Sequence, residues 1–145
     1  MSVSRQLYVN LAVNDLERSV AFFTALGFSF DPRLTDETAT CMIVGEDAYV
    51  MLLTKPKFEE FTTKPLVDAA SQTEVLIAVS AASREGVDEV TEAALASGGS
   101  TASDPIDYRF MYSRSFQDPD GHHWEVVWMD VEAAEEADRP AGAVA

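Results

Sequence analysis

The sequence predicts an α+β protein built from two copies of one motif, and three observations carry that prediction. Each half runs strand, helix, glycine stop, then strands that end in a hairpin. Leu11-Ala-Val-Asn-Asp parallels Ile77-Ala-Val-Ser-Ala, Leu26-Gly27 answers Gly98-Gly99, and Gly45-Glu-Asp-Ala-Tyr-Val-Met-Leu answers Asp118-Pro-Asp-Gly-His-His-Trp-Glu. Residues 6–13 and 74–80 share a face pattern, with Val9, Leu11 and Val13 in one and Val75, Ile77 and Val79 in the other alternating with mixed neighbours. Finally, Asp118-Pro-Asp-Gly supplies both residues a tight turn needs, and the strand after it alternates Trp124, Val126 and Trp128 with His123, Glu125 and Val127.

In chain order, the first strand ends at Asn14-Asp15, which offers N-cap chemistry. Leu16, Val20, Phe23 and Leu26 then fall at helical spacing as far as Gly27, a fitting C-terminal stop. Phe28 to Phe30 reads as a short strand, 31–37 as turns, and Thr38 to Val44 as a strand. Gly45-Glu-Asp turns the chain into the aliphatic strand Ala48 to Thr54. Residues 55–73 contain Phe58, Phe61 and two prolines without a clean period, so they read as a linker holding a turn or two of helix. Past it, a strand at 74–80 leads through Ser83 to a helix with Val87, Val90, Ala94 and Leu95 inward, closed by Gly98-Gly99. A polar link through Asp104-Pro105, a strand over about 110–116 and the closing hairpin complete the pattern. The organisation is a first module at 1–54, the linker 55–73, a second module at 74–130, and an acidic, Ala-rich tail at 131–145.

Composition narrows the function. The 145 residues are 47% hydrophobic, enough for one compact core, and no apolar run approaches the ~20 residues of a membrane span. Met1 to Gln6 leads into the first strand without a signal-peptide pattern, so a cytoplasmic location is expected. A net charge of −15 argues against nucleic acid and anionic membranes, which need basic patches. Residues 130–145 account for only −4 of it, so the acidity is general and serves solubility. The single cysteine, Cys41, reads as a buried small hydrophobe.

Two stretches resemble a known family: Val13-Asn-Asp-Leu-Glu-Arg-Ser-Val-Ala-Phe-Phe-Thr-Ala-Leu-Gly-Phe and Phe116-Gln-Asp-Pro-Asp-Gly-His-His-Trp-Glu-Val. They are similar to the vicinal oxygen chelate superfamily of glyoxalase I, bleomycin-resistance proteins and extradiol dioxygenases. Tyr49-Val-Met-Leu-Leu-Thr, Phe110-Met-Tyr-Ser-Arg-Ser-Phe and Trp124-Glu-Val-Val-Trp-Met-Asp resemble its small bacterial lactoylglutathione lyase-like members. The resemblance spans residues 6 to about 130 and implies paired βαβββ modules, each a curved half-barrel sheet with its helix on the convex face and a pocket on the concave side. It says little about the reaction, since one such scaffold hosts many chemistries.

Metal enzymes of the family draw ligands from the first and last strands of each module, which the resemblance puts at Tyr8, Leu52, Leu76 and Glu125. Only Glu125 is a good ligand among them, and a catalytic ion needs about three. No metal and no other cofactor is therefore expected. Adjacent strand residues point to opposite faces, so His122 and His123 cannot chelate one ion together; His122 reads as a brace for the turn. Tyr112 and Arg114 share a parity, and if it is inward they meet Glu125. The expected site has Glu125 as polar anchor or, more boldly, general base, with Tyr8, Asn10, Leu52, Leu76, Tyr112, Arg114 and His123 as ligand-binding neighbours.

Three readings stay open: a metal-free pocket protein binding a small molecule, a divalent-metal glyoxalase-like lyase or dioxygenase-related enzyme, and a dimeric interaction module with a vestigial pocket. A homodimer is expected because bare sheet edges at this apolar content invite aggregation unless covered. A clean monomer mass by light scattering at micromolar concentration would contradict it.

Overall fold

The computed structural model describes residues 3–137. The first module contains β1 (Leu7–Val13), α1 (Leu16–Ala25), β2 (Ser29–Asp31), β3 (Ala39–Gly45) and β4 (Ala48–Thr54), and α2 (Lys55–Glu59) follows directly. The second contains β5 (Leu76–Ser80), α3 (Arg84–Ala96), β6 (Ser100–Thr101), β7 (Ile106–Tyr108), β8 (Met111–Gln117) and β9 (His123–Met129), with α4 (Val131–Ala137) after it. Strand order is β1-β4-β3-β2 in one sheet and β5-β9-β8-β6 in the other, with β7 also on β8. In both, the first strand pairs parallel with the last and the remaining pairs are antiparallel. This is the repeated, unclosed α+β architecture expected from the sequence.

Local chemistry sets the helix bounds. The Asp15 carboxylate accepts from the Arg18 amide at 3.1 Å, and the Ser83 hydroxyl accepts from the Gly86 amide at 3.0 Å, so each α-helix of the repeat starts on a side-chain cap. Gly27 and Gly98 end them at φ of 101° and 108°, where a side chain is disfavoured.

One core joins both modules. Leu11, Val13, Met42, Val50 and Leu52 of the first sheet and Phe116, Trp124 and Val126 of the second belong to the same buried cluster as Phe22 and Phe23 of α1. Phe23 packs 5.0 Å from Trp124 and Phe22 lies 6.0 Å from Phe116, centroid to centroid, so α1 contributes its aromatics to the partner module's sheet. Burying one such phenylalanine ring is worth about 1.5–3 kcal/mol, more than an exposed ion pair at about 1 kcal/mol or less. Aromatic packing, not surface charge, therefore sets how the modules sit. Cys41 is fully buried, and burial pushes its thiol up, as suits an inert core residue.

The structure corrects several expectations. The link after α3 forms two short strands, β6 and β7, both paired with β8; at two and three residues they are too short for a period to betray them. Part of the expected tail is helical, as α4, and 138–145 lie outside the described residues. Leu52 is fully buried in the shared core rather than facing a pocket. Leu11 pairs with Leu52, whereas Ala78 pairs with Glu125. Since Ile77 is the repeat partner of Leu11, the residue matching Glu125 is Leu53. A slip of one residue turns every side chain to the other face.

Candidate functional site

The helix side of the second sheet carries Trp124 and Val126, so Glu125 and His123 project from its other, open face. There His123 Nε2 lies 3.3 Å from Glu125 Oε1, two residues apart on one strand, with side-chain exposures of 13% and 32%. Leu76 stands opposite His123 on β5 and shares this face, 60% exposed.

Tyr112 and Arg114 are not part of it. They do share a face, but the pairs Tyr112 with Trp128 and Arg114 with Val126 turn that face toward α3. The Tyr112 hydroxyl donates to Asp88 at 2.7 Å, and Arg114 bridges Asp88 at 3.0 Å and Glu92 at 2.9 Å. The Tyr112 hydroxyl, then the Arg114 guanidinium, hold the Asp88 carboxyl below its usual range, and the same bond pushes the Tyr112 hydroxyl up. These residues lock α3 to its sheet.

Tyr8 and Asn10 project from the open face of the first sheet. Tyr8 stacks on Tyr49 at 4.9 Å, is 43% exposed, and gives its hydroxyl to Gln6. Asn10 instead reaches a cavity of about 230 Å³ at the seam between the modules. Val9, Leu11 and Ala12 of β1, Leu66 and Val67 of the linker, and His122 and His123 all line it. The structure thus brings Asn10 and His123 together, with Glu125 bonded behind His123.

The turn between β8 and β9 carries the two histidines to that lining. Asp118 is buried and accepts from the amides of Asp120 and His122, both at 3.0 Å, and from Trp124 Nε1 at 3.0 Å. Burial pushes its carboxyl up, against these donors. Asp120 accepts from the Asn14 amide and side chain at 2.8 Å each, from Arg18 at 3.2 Å and from the buried Ser19 hydroxyl at 3.3 Å. His122 Nε2 donates to the Ala12 carbonyl at 2.7 Å, on the free edge of β1. His122 therefore braces the turn through its backbone and also ties it to the first module. None of Asn14, Arg18, Ser19 or Asp120 was expected at the seam: they meet across more than 100 residues, and only the Asn14-Asp15 cap signal hinted that this corner was polar.

A divalent metal does not fit these residues. Among the described residues no three His, Cys, Asp or Glu side chains converge on one point, and of Tyr8, Leu52, Leu76 and Glu125 only Glu125 is a good ligand. His123 and Glu125 make a pair, one donor short of a catalytic ion's usual set.

Residues 5–45 match the family model of the bleomycin resistance protein-like N-terminal region. The fold is similar to the hypothetical protein SA1046 from S. aureus, at 27% identity over 87% of this chain and 95% of that one, with a TM-score of 0.72. A glyoxalase/bleomycin resistance protein/dioxygenase from Nocardioides is similar at 26% identity over 99% of this chain and 93% of that one, TM-score 0.64. A glyoxalase/bleomycin resistance protein/dioxygenase family enzyme from Burkholderia phytofirmans PsJN has TM-score 0.70 at 18% identity, covering 86% and 98% of the two chains, and speaks for the fold alone. No curated protein matches the chain.

Proposed function

We propose that this chain is a member of the vicinal oxygen chelate superfamily and that it binds a small molecule in the seam cavity without recruiting a metal, a reading supported by the N-terminal family match and the likeness to the Nocardioides protein. The observation that carries this reading is the meeting of Asn10 from β1 and His123 from β9 at one cavity, backed by Glu125. The family supplies the scaffold; the polar groups differ from those of its metal enzymes. Apolar walls with a few convergent polar groups are the usual make-up of a small-molecule site, and about 230 Å³ suits a ligand below drug size.

Glu125 acts in this site by orienting His123 and is not required to touch the ligand. A thermal-shift screen of small fragments checks the proposal, because a ligand that binds only the native state raises its melting temperature by mass action. Fragments that stabilise the wild type should lose most of that effect on Asn10→Ala and part of it on Glu125→Gln, while both variants keep the wild-type fold. A screen with no stabilising fragment, or with hits indifferent to both substitutions, contradicts the reading.

A further inference from the structure

The hydrogen bonds already made at the cavity decide what it can still offer a ligand. A carbonyl oxygen can only accept, so the His122 nitrogen 2.7 Å from the Ala12 carbonyl must carry a proton. The Glu125 carboxylate likewise only accepts, which puts the proton of His123 on Nε2. In its neutral form each ring then keeps its lone pair on Nδ1, so both cavity-lining imidazoles are acceptors to a newcomer. Glu74, also in the lining, adds a carboxylate, whereas no Lys or Arg lines the cavity among the described residues. Asn10, Gln72 and Thr73 bring neutral groups that can donate or accept, and Val9, Leu66 and Val67 are apolar.

From the Glu74 carboxylate and the two imidazole lone pairs, with no Lys or Arg beside them, we infer that the cavity takes a small amphipathic amine, its ammonium toward the histidines and Glu74 and its hydrocarbon body against β1 and the linker. The inference rests on the cavity being the ligand site. A carboxylate or phosphate head would find only the neutral donors of Asn10, Gln72 and Thr73, with no Lys or Arg to offset the like charge of Glu74. An alcohol can donate one hydrogen bond but brings no charge to the carboxylate. An ammonium donates three and is paired as it leaves water. The general acidity of the chain, −15 overall, adds a long-range field of the same preference.

Three probes with one body separate the classes: cyclohexylmethylamine, cyclohexylmethanol and cyclohexanecarboxylate, titrated by calorimetry into the full chain at low salt. The amine is expected to bind about tenfold tighter than the alcohol, a difference of about 1.4 kcal/mol, with the carboxylate weakest. Glu74→Gln should weaken the amine severalfold and leave the alcohol unchanged, a contrast that a folding defect would not produce. An alcohol or carboxylate that matches or exceeds the amine overturns the amine assignment but leaves the cavity as a ligand site. No binding by any of the three overturns the assignment as well, whereas the cavity itself falls only if the fragment screen yields nothing that depends on Asn10 or Glu125.

Discussion

Gly121→Ala is expected to destabilise the protein by about 2–4 kcal/mol, combining a left-handed backbone penalty with overpacking. Gly121 sits at φ 95°, and a Cβ built there would lie 2.5 Å from the Ala69 carbonyl oxygen and 2.9 Å from the Ala70 Cα. Both contacts are backbone, so relief requires the linker to lift from the turn, and the linker lines the cavity. Gly45→Ala is the control: a Cβ there meets nothing within 4 Å. Urea unfolding of the two variants should show a large loss for Gly121→Ala and less than about 1 kcal/mol for Gly45→Ala. Equal losses would mean that the close approach of linker and turn is absent in solution.

Asp120→Ala should cost about 3 kcal/mol, because it strips the acceptor from a part-buried cluster that joins the modules. Arg18 can turn to solvent, being 45% exposed, and so recovers part of the loss. Ser19 is buried and the Asn14 amide points at the missing carboxylate, so they carry most of the cost. Asp120→Asn keeps the shape and one accepting oxygen, and should lose about half as much. Thermal unfolding followed separately at Trp124 and by far-ultraviolet dichroism is the check. A drop of several degrees that remains a single transition is expected, since one shared core ties the modules together. A change of less than about 0.5 kcal/mol for the alanine variant would show that the turn does not hold the modules.

The fold was legible because its signals are local and repeated. Val9, Leu11 and Val13 announce a strand with one apolar face, and Asp15 and Gly27 mark the ends of a helix whose aromatics are spaced for burial. The site was legible only in part, for reasons of register. Leu52 and Leu53 are chemically alike, so nothing in the residues themselves says which one faces the core; strand pairing decides, placing Leu52 opposite Leu11. Parity correctly joined Tyr112 to Arg114 but could not say which face they share, and acids on α3 settled that by capturing both. His123 and Glu125 were readable as a pair because they lie two apart on one strand. Their link to Asn10 was not, since it depends on how two modules dock, and docking is written in contacts between residues far apart in the chain.

Mapping a bound fragment onto the backbone amides by NMR tests the central claim most directly. The fragment that most raises the melting temperature should produce saturable shifts concentrated at residues 9–12, 66–75 and 121–125, the three segments around the cavity and its Glu125 backing. Shifts that gather instead around Asp88, Tyr112 and Arg114, or that never saturate, would contradict a ligand site at the module seam.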